Sequence, residues 1–174
     1  MISICFISFL LISILTSSYG QVTCASGWVE NGDHCYKIQP SFNAGGPYGG
    51  ITGSWDQCNA YCTASYPGAT MLCVNTGLEN EWIRMQLEEM SMWIGYTDMP
   101  PYGGGKGTKQ YGWVTGCSSA FTNWNAGQPD NGNNKEDYAV VHPSGKWLDY
   151  APLDNFPCGC EYNPASQGSG SVSE

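Results

Sequence analysis

Cysteine usage constrains the fold of this chain more than any other sequence feature. The 174 residues contain nine cysteines, and Cys5 lies in an apolar N-terminal stretch. We expect residues 1–20 to be a secretory signal peptide, because the apolar run is too short to span a membrane and is followed by small residues at Ser18 and Gly20. Cleavage would leave eight cysteines, and an even number in a secreted chain predicts a disulfide framework. They are Cys24, Cys35, Cys58, Cys62, Cys73, Cys117, Cys158 and Cys160.

Closely spaced cysteines leave a zinc site as the alternative. Cys58 and Cys62 are one helical turn apart, and Cys158 and Cys160 are separated by a single glycine. Such pairs suit tetrahedral Zn²⁺ when the thiols are reduced. An extracellular chain favours disulfides instead, so zinc is the less favoured interpretation.

Composition points to one loop-rich domain. Residues 21–163 have the length of a single domain, and the chain has 23 glycines and 10 prolines but only 12% charged residues. The net charge is −9 with only six Lys and Arg residues, so we do not expect nucleic acid to be a partner. No later stretch predicts a membrane span, and the Ser/Gly-rich residues 164–174 predict a flexible tail.

Local patterns predict two helices and several short strands. Ser54 is a good N-cap for a helix from 55 to about 65, which would end before Pro67. Apolar residues at a helical period predict a second helix from 78 to about 90. Residues 37–54 and 98–110 have loop composition. Strands are expected at 71–74, 92–96, 111–114, 139–141 and 146–148, the last two forming a hairpin around 143–145.

Oxygen donors are concentrated between residues 128 and 149. They include Gln128, Asp130, Glu136 and Asp149, all of which offer oxygen ligands. Hard oxygen ligands at short spacing favour Ca²⁺ over zinc or copper. A cis peptide bond before Pro129 would direct the two side chains beside it to one side. The bland alternative is an acidic surface loop.

Five motifs in the same order resemble the C-type lectin-like domain family. The resemblance extends from Cys24 to Tyr162 and implies an α+β fold with two helices, two small and mostly antiparallel sheets, a long loop region and disulfide staples. The motifs are Gly27-Trp28 with Cys35-Tyr36, Ser54-Trp55 with Tyr61-Cys62, Trp93-Ile94-Gly95-Tyr96, Asn123-Trp124 with Gln128-Pro129-Asp130, and Cys160-Glu161.

The same resemblance implies part of the disulfide pairing. It pairs Cys24 with Cys35 and Cys62 with Cys160. A second bridge from Cys58 to Cys158 beside the latter is geometrically reasonable, because both cysteines lie on the corresponding faces of their elements. A bridge from Cys73 to Cys158 is a rival, and the sequence does not decide between them.

The resemblance also implies a sugar site. It makes Gln128, Asp130, Glu136 and Asp149 ligands of both Ca²⁺ and a carbohydrate, and the order Gln-Pro-Asp goes with galactose or N-acetylgalactosamine. Leu148 departs from the family, which usually has Asn there as a further ligand. A second Ca²⁺ site would draw on Asp98, Asn131, Glu136 and Asp137.

Weak binding of a single sugar follows from the loop at 131–135, which has no aromatic residue to stack on a sugar ring. Useful avidity would then require multivalency, for example in a homo-oligomer.

No catalytic motif is present, so we do not expect an enzyme. The alternative function is a C-type-lectin-like module without sugar binding that acts in adhesion or on protein, mineral or ice.

Overall fold

The computed structural model describes residues 23–38, 51–114 and 116–167. The predicted signal peptide, residues 1–20, lies outside these ranges, as does most of the loop expected at 37–54. Of the predicted C-terminal tail, Pro164–Gln167 forms a short 3-10 helix, and the remaining residues lie outside the described part. No helix within the described ranges is both long and apolar enough to cross a membrane.

Ten short strands and two α-helices make up the described chain. The strands form two four-stranded sheets, ordered β1-β2-β10-β4 and β6-β5-β7-β8, and one pair, β3-β9. All paired strands are antiparallel, as expected. In chain order the elements are β1 Val29–Asn31, β2 His34–Lys37, β3 Thr52–Gly53, α1 Trp55–Ser65, β4 Thr70–Met71, α2 Gly77–Gln86, β5 Met92–Thr97, β6 Gly112–Trp113, β7 Tyr138–Val141, β8 Trp147–Tyr150, β9 Phe156–Pro157 and β10 Cys160–Tyr162.

Helix α1 has the predicted bounds because its first turn is capped from both directions. The Ser54 hydroxyl accepts from the backbone N–H of Gln57, and the Gln57 side chain accepts from the Ser54 N–H. This reciprocal pair satisfies two donors that a helix start leaves open. The Trp55 indole N–H then donates to the Ile94 carbonyl over 3.0 Å in a buried contact, which fixes α1 against β5.

Helix α2 is shorter than predicted. The Thr76 hydroxyl caps it, but the helix ends at Gln86 rather than near Met90, and Leu87 closes the last turn. Glu88 and Glu89 would have followed as negative charges at the negative end of the helix dipole, which is unfavourable. Leu87 is still partly buried against the core, so its apolar character reflects packing after the helix has ended.

Two further predictions of secondary structure were imprecise. The strand expected at 71–74 is reduced to β4, and Leu72 instead bridges two elements: its N–H donates to Gly159 while its carbonyl accepts from Gly95. Residues 37–54 were expected to be a loop, but Thr52–Gly53 pairs with Phe156–Pro157 as β3 and β9. Pairs this short depend on partners distant in sequence and leave no periodic pattern.

The predicted hairpin of β7 and β8 is present and carries one residue of the oxygen-donor group. Val141 lies opposite Trp147, and Ala139 lies opposite Asp149. Trp147 is fully buried, and alternation along the strand places Asp149 on the same face, where it is only 2% exposed. The hairpin therefore holds this carboxylate at the edge of the core.

All eight cysteines of the described chain form disulfides, which excludes the zinc interpretation. The bridges Cys24–Cys35 and Cys62–Cys160 agree with the pairing that the family resemblance implied. Cys58 pairs with Cys158, so the rival pairing of Cys73 with Cys158 is not formed. Cys73 pairs with Cys117. Two neighbouring bridges thus join α1 to the C-terminal strands.

Candidate functional site

Three of the four predicted site residues form a cluster of carboxylates, which we call the carboxylate cluster. Asp130, Glu136 and Asp149 each offer an oxygen within 4.8 Å of the others. The fourth predicted residue, Gln128, is adjacent, because its Oε1 accepts from the backbone N–H of Asp149 over 3.1 Å. The structure therefore brings all four predicted residues to one place.

Backbone donors hold the Asp149 carboxylate in position. Its Oδ1 accepts from the N–H of Asp130 at 3.0 Å, and its Oδ2 accepts from the N–H of Asn131 at 2.7 Å. Both bonds are charge-assisted and short. Since they connect β8 to the 128–131 segment, the same contacts that orient the carboxylate also fix the loop that bears Gln128 and Asp130.

Glu136 is held by the turn that precedes it. Its Oε2 accepts from the N–H of Gly132 at 2.8 Å, and its own N–H donates to the Asn131 side chain at 3.2 Å. Asn131 adopts a left-handed backbone with φ of 57°, a conformation that Asn tolerates better than most residues. The peptide bond between Gln128 and Pro129 is cis.

Electrostatics make the cluster a place where a cation would be stabilised. Burial raises the pKa of the Glu136 carboxyl above its ordinary value, and the nearby carboxylates of Asp149 and Asp130 raise it further. All six Lys and Arg residues fall within the described ranges, and none of them pairs with Asp130, Glu136 or Asp149 there. Repulsion among these carboxylates is therefore uncompensated by protein cations.

Tyr111 is a neighbour of the cluster that the sequence analysis missed. Its hydroxyl lies 3.4 Å from Asp149 Oδ2 and 3.4 Å from the carbonyl of Glu136. Burial, followed by the charge of Asp149, strongly raises the pKa of this tyrosine. Residues two positions apart in a strand lie on the same face. The spacing of Tyr111 and Trp113 was therefore the signal that could have placed Tyr111 on the core side.

Residues of the expected second site have mainly structural partners. The backbone N–H of Gly107 donates to Asp137 Oδ1, and the N–H of Lys109 donates to Asp98 Oδ2. Asp98 Oδ1 has no hydrogen-bond partner, and burial raises the pKa of this carboxyl. Asp137 is not among the three clustered acids, so it orders the 98–110 loop instead.

Neither Leu148 nor Tyr150 adds to the cluster. Leu148 lies opposite Val140 and packs against the apolar core. The Tyr150 ring packs edge-on against Phe156 with centroids 4.8 Å apart, so this face of the ring is occupied by protein. This packing does not favour Tyr150 as an aromatic platform for a sugar ring.

The donor set fits Ca²⁺ by its chemistry. Three carboxylates and one side-chain amide oxygen are hard ligands of the kind this ion prefers. Asp130 is exposed, Glu136 is half-buried and Asp149 is buried, so the cluster is open to solvent on one side. Gln128, Asp130, Glu136 and Asp149 would hold the ion, while Leu148 offers it no oxygen.

Comparisons with known proteins agree with the fold. A family model described as "Lectin C-type domain" matches residues 51–162. The human protein "C-type lectin domain family 10 member A" is 32% identical over 133 residues, which cover 72% of this chain and 36% of that relative. The present chain therefore corresponds to about a third of that longer protein.

Solved structures show the same architecture. The carbohydrate-recognition domain of the human scavenger receptor C-type lectin has a TM-score of 0.66 and 26% identity, covering 81% of this chain and 99% of that one. A calcium-independent type II antifreeze protein has a TM-score of 0.67 with 16% identity, covering 83% and 98%. The family match and the human relative decide the assignment, and the chain belongs to the C-type lectin domain family.

Proposed function

We propose that this chain is a secreted, Ca²⁺-dependent carbohydrate-binding protein with preference for galactose-type sugars. The observation that carries the proposal is the meeting of Asp130, Glu136 and Asp149 within 4.8 Å, next to Gln128. Several relatives found by sequence are named as lectins, which supports binding rather than catalysis.

Each side chain has a distinct part in the proposed site. Bound Ca²⁺ would supply a Lewis-acid centre to which two vicinal sugar hydroxyls bind. The carboxylates of Asp130 and Glu136 accept hydrogen bonds from sugar hydroxyls. The Gln128 amide N–H₂ donates to a hydroxyl oxygen, since its Oε1 already accepts from the Asp149 N–H. Asp149 is tied by two backbone donors and fixes the geometry of the group.

Selectivity would follow from the order of amide and acid. Gln128 places a donor on one side of the cis Pro129 bond and Asp130 places an acceptor on the other. A sugar whose hydroxyls present the opposite order leaves polar groups unpaired, at a cost of about 1–3 kcal/mol for each group. The family relation supports the galactose assignment for this order.

The test is binding to multivalent glycan surfaces. We expect the protein to prefer galactose or N-acetylgalactosamine over mannose and to release both with EDTA. The double variant Gln128→Glu with Asp130→Asn keeps the charge and the number of oxygen ligands but reverses donor and acceptor. A shift toward mannose of about fivefold or more is expected, equal to about 1 kcal/mol. Unchanged selectivity, or mannose preference in the unaltered protein, would refute the galactose assignment.

A second candidate function is supported by Leu148 and by one structural neighbour. Leucine removes an oxygen ligand, and the calcium-independent antifreeze protein shares the fold. A module that acts on protein, mineral or ice without sugar or Ca²⁺ would show no change in Tm with millimolar Ca²⁺. That result would favour the second candidate over the first.

Processing and assembly complete the proposal. Residues 1–20 are removed on secretion, and residues 164–174 form a tail after the domain at 21–163. Homo-oligomers would supply the avidity that a site without an aromatic platform needs. N-terminal sequencing of the secreted protein tests the cleavage, and a chain that begins at Met1 would contradict it. Light scattering tests the assembly, and a monomer that binds multivalent glycan surfaces tightly would contradict it.

A further inference from the structure

A second concave site lies between the N-terminal hairpin, helix α2 and strand β10. It is a groove of about 760 Å³, which we call the acidic groove. Its lining includes the side chains of Asp33, Tyr36, Glu79, Trp82 and Glu161. None of them belongs to the carboxylate cluster described above.

Glu161 is the unusual member of this groove. It is only 7% exposed, yet its Oε2 has no hydrogen-bond partner. The backbone N–H of Cys73 donates a hydrogen bond to its carboxylate. A buried carboxylate oxygen without a partner carries a free-energy cost, and this cost falls when a donor or cation approaches.

Neighbouring acids favour a positively charged partner for Glu161. Burial raises the pKa of Glu161 well above its ordinary value, and the charges of Glu79 and Asp33 raise it further. Asp33 Oδ1 lies 2.8 Å from the Nδ1 of the His34 imidazole. All six Lys and Arg residues lie in the described ranges, where none forms an ion pair with Asp33, Glu79 or Glu161. The chain itself therefore supplies no ammonium or guanidinium group here.

Glu79 is oriented as part of a fixed wall. Its Oε1 accepts from the Tyr36 hydroxyl at 2.6 Å, and its Oε2 accepts from the backbone N–H of Asn75 at 2.7 Å. Each carboxylate oxygen retains a lone pair after these bonds. Glu161 lies opposite Tyr36 in the pairing of β2 and β10, so Tyr36 stands beside both acids of the groove.

Aromatic rings make the groove suitable for an organic cation. The rings of Tyr36 and Trp82 are 4.8 Å apart, and Trp82 is half-buried beside the groove. Ring faces attract ammonium and guanidinium groups, most strongly for Trp. Leu78, which is 87% exposed, adds apolar surface for an aliphatic stem.

A metal ion fits these observations less well. Within the described ranges, only the carboxylate cluster brings three acidic ligands within 4.8 Å of one another. Asp33, Glu79 and Glu161 do not, so a single ion would not contact all three. A groove of about 760 Å³ also exceeds the space an ion needs.

We propose that the acidic groove binds an alkyl ammonium or guanidinium group, with the charge at Glu161 and Glu79 and the stem against Trp82. Both an arginine or lysine side chain of a peptide and a free organic amine carry this chemistry. The inference is independent of the proposed sugar site.

The test titrates the full secreted chain with agmatine and with the peptide acetyl-Gly-Arg-Gly-amide, without Ca²⁺ or sugar. The matching citrulline peptide is neutral and nearly isosteric, and it serves as the ligand control. We expect the arginine peptide, agmatine or both to bind at least about tenfold more tightly than the citrulline peptide. Binding of agmatine alone would identify the free amine as the source, and binding of the peptide alone would identify a side chain.

Two variants locate the site. Glu161→Gln removes the charge with little change in shape, and we expect cation affinity to fall by about tenfold or more. Glu30→Gln removes an exposed carboxylate from β1 of the same sheet and should leave affinity unchanged. Chemical shifts of the Trp82 indole should move on titration of the unaltered chain.

Either of two affinity results would overturn the proposal. The first is that neither agmatine nor the arginine peptide binds more tightly than the citrulline peptide, and the second is equal cation affinity of the unaltered chain and Glu161→Gln. Shifts of the Trp82 indole with Ca²⁺ but not with agmatine would also overturn it, because the groove would then be a metal site.

Discussion

The Trp147 indole N–H donates to the Asn80 side-chain oxygen over 2.8 Å, in a buried contact between residues 67 positions apart. Asn80 also donates from its amide nitrogen to the Gly145 carbonyl at 2.9 Å. A single side chain thus links α2 to both the turn and the second strand of the hairpin that carries Asp149.

We therefore expect Asn80→Leu to destabilise the fold. The change leaves the buried indole N–H without its acceptor, at a cost of about 1–3 kcal/mol. Urea unfolding at neutral pH measures it. Met85→Ala, at a 60% exposed position of the same helix, is the matched control and should change stability by less than about 0.5 kcal/mol. Equal effects of the two changes would show that the bridge is unimportant.

Removing one carboxylate should weaken cation binding. Glu136→Gln lowers the charge of the cluster, so Ca²⁺ affinity should fall by about tenfold or more. In the unaltered chain Tm should rise with added Ca²⁺, as linkage requires of a ligand that binds only the folded state. Differential scanning calorimetry with and without Ca²⁺ measures both effects. Glu88→Gln at an exposed position is the control and should keep the full rise.

Restoring the missing ligand should have the opposite effect on the same site. Leu148→Asn adds an amide oxygen beside Asp149, so we expect several-fold tighter Ca²⁺ binding. Since Leu148 packs against the core, the same change should cost about 1–2 kcal/mol of stability without Ca²⁺. Isothermal titration and urea unfolding separate the two. Leu153→Asn, at an 87% exposed position, should do neither. Unchanged affinity in the Leu148 variant would show that the residue at position 148 does not limit Ca²⁺ binding.

Stability should depend on pH through Glu161. Its folded-state pKa is raised above the unfolded value near 4.5, mainly by burial and then by Glu79 and Asp33. The folded state therefore holds this proton more tightly, and stability should increase as pH falls through the raised pKa toward 4.5. Glu161→Gln should be more stable than the unaltered chain at pH 8 by a few degrees in Tm, and the difference should vanish near the unfolded pKa. A difference independent of pH would contradict this account.

The neighbouring bridges Cys58–Cys158 and Cys62–Cys160 should contribute non-additively. Their sequence separations are 100 and 98, so either one alone closes nearly the same loop. Removing one by paired Cys→Ala changes should cost about 2–3 kcal/mol, since the remaining bridge still closes the large loop. Removing the second as well should cost about 4–5 kcal/mol more. Urea unfolding of the two double variants and the quadruple variant tests this, and equal successive costs would contradict it.

The sequence predicted elements whose signals are local. Helix α1 has the expected bounds because Ser54 and Gln57 cap each other within one turn. Strand β5 and the hairpin around 143–145 were predicted from short apolar runs and a turn, and both are present. Helix α2 was predicted too long because Leu87 and Met90 continued the apolar period after the helix had ended.

Features that depend on residues distant in sequence could not be predicted from local patterns. The pairing of Cys73 with Cys117 and the strand pair β3-β9 join segments far apart in sequence. The four site residues were found because the family motif marks them. Tyr111 and the unpartnered Glu161 were missed, since their roles come from side chains that fold next to them and not from their own neighbours in sequence.

The order β1-β2-β10-β4 also has a mechanical consequence. Cys24 is bonded to Cys35, and Cys35 lies opposite Tyr162, so tension applied at the two ends of the domain meets at adjacent strands. The strands β2 and β10 would then separate one hydrogen bond at a time, until the neighbouring bridges Cys58–Cys158 and Cys62–Cys160 carry the load. The chain enclosed by both bridges, with Asp130, Glu136 and Asp149, stays free of tension.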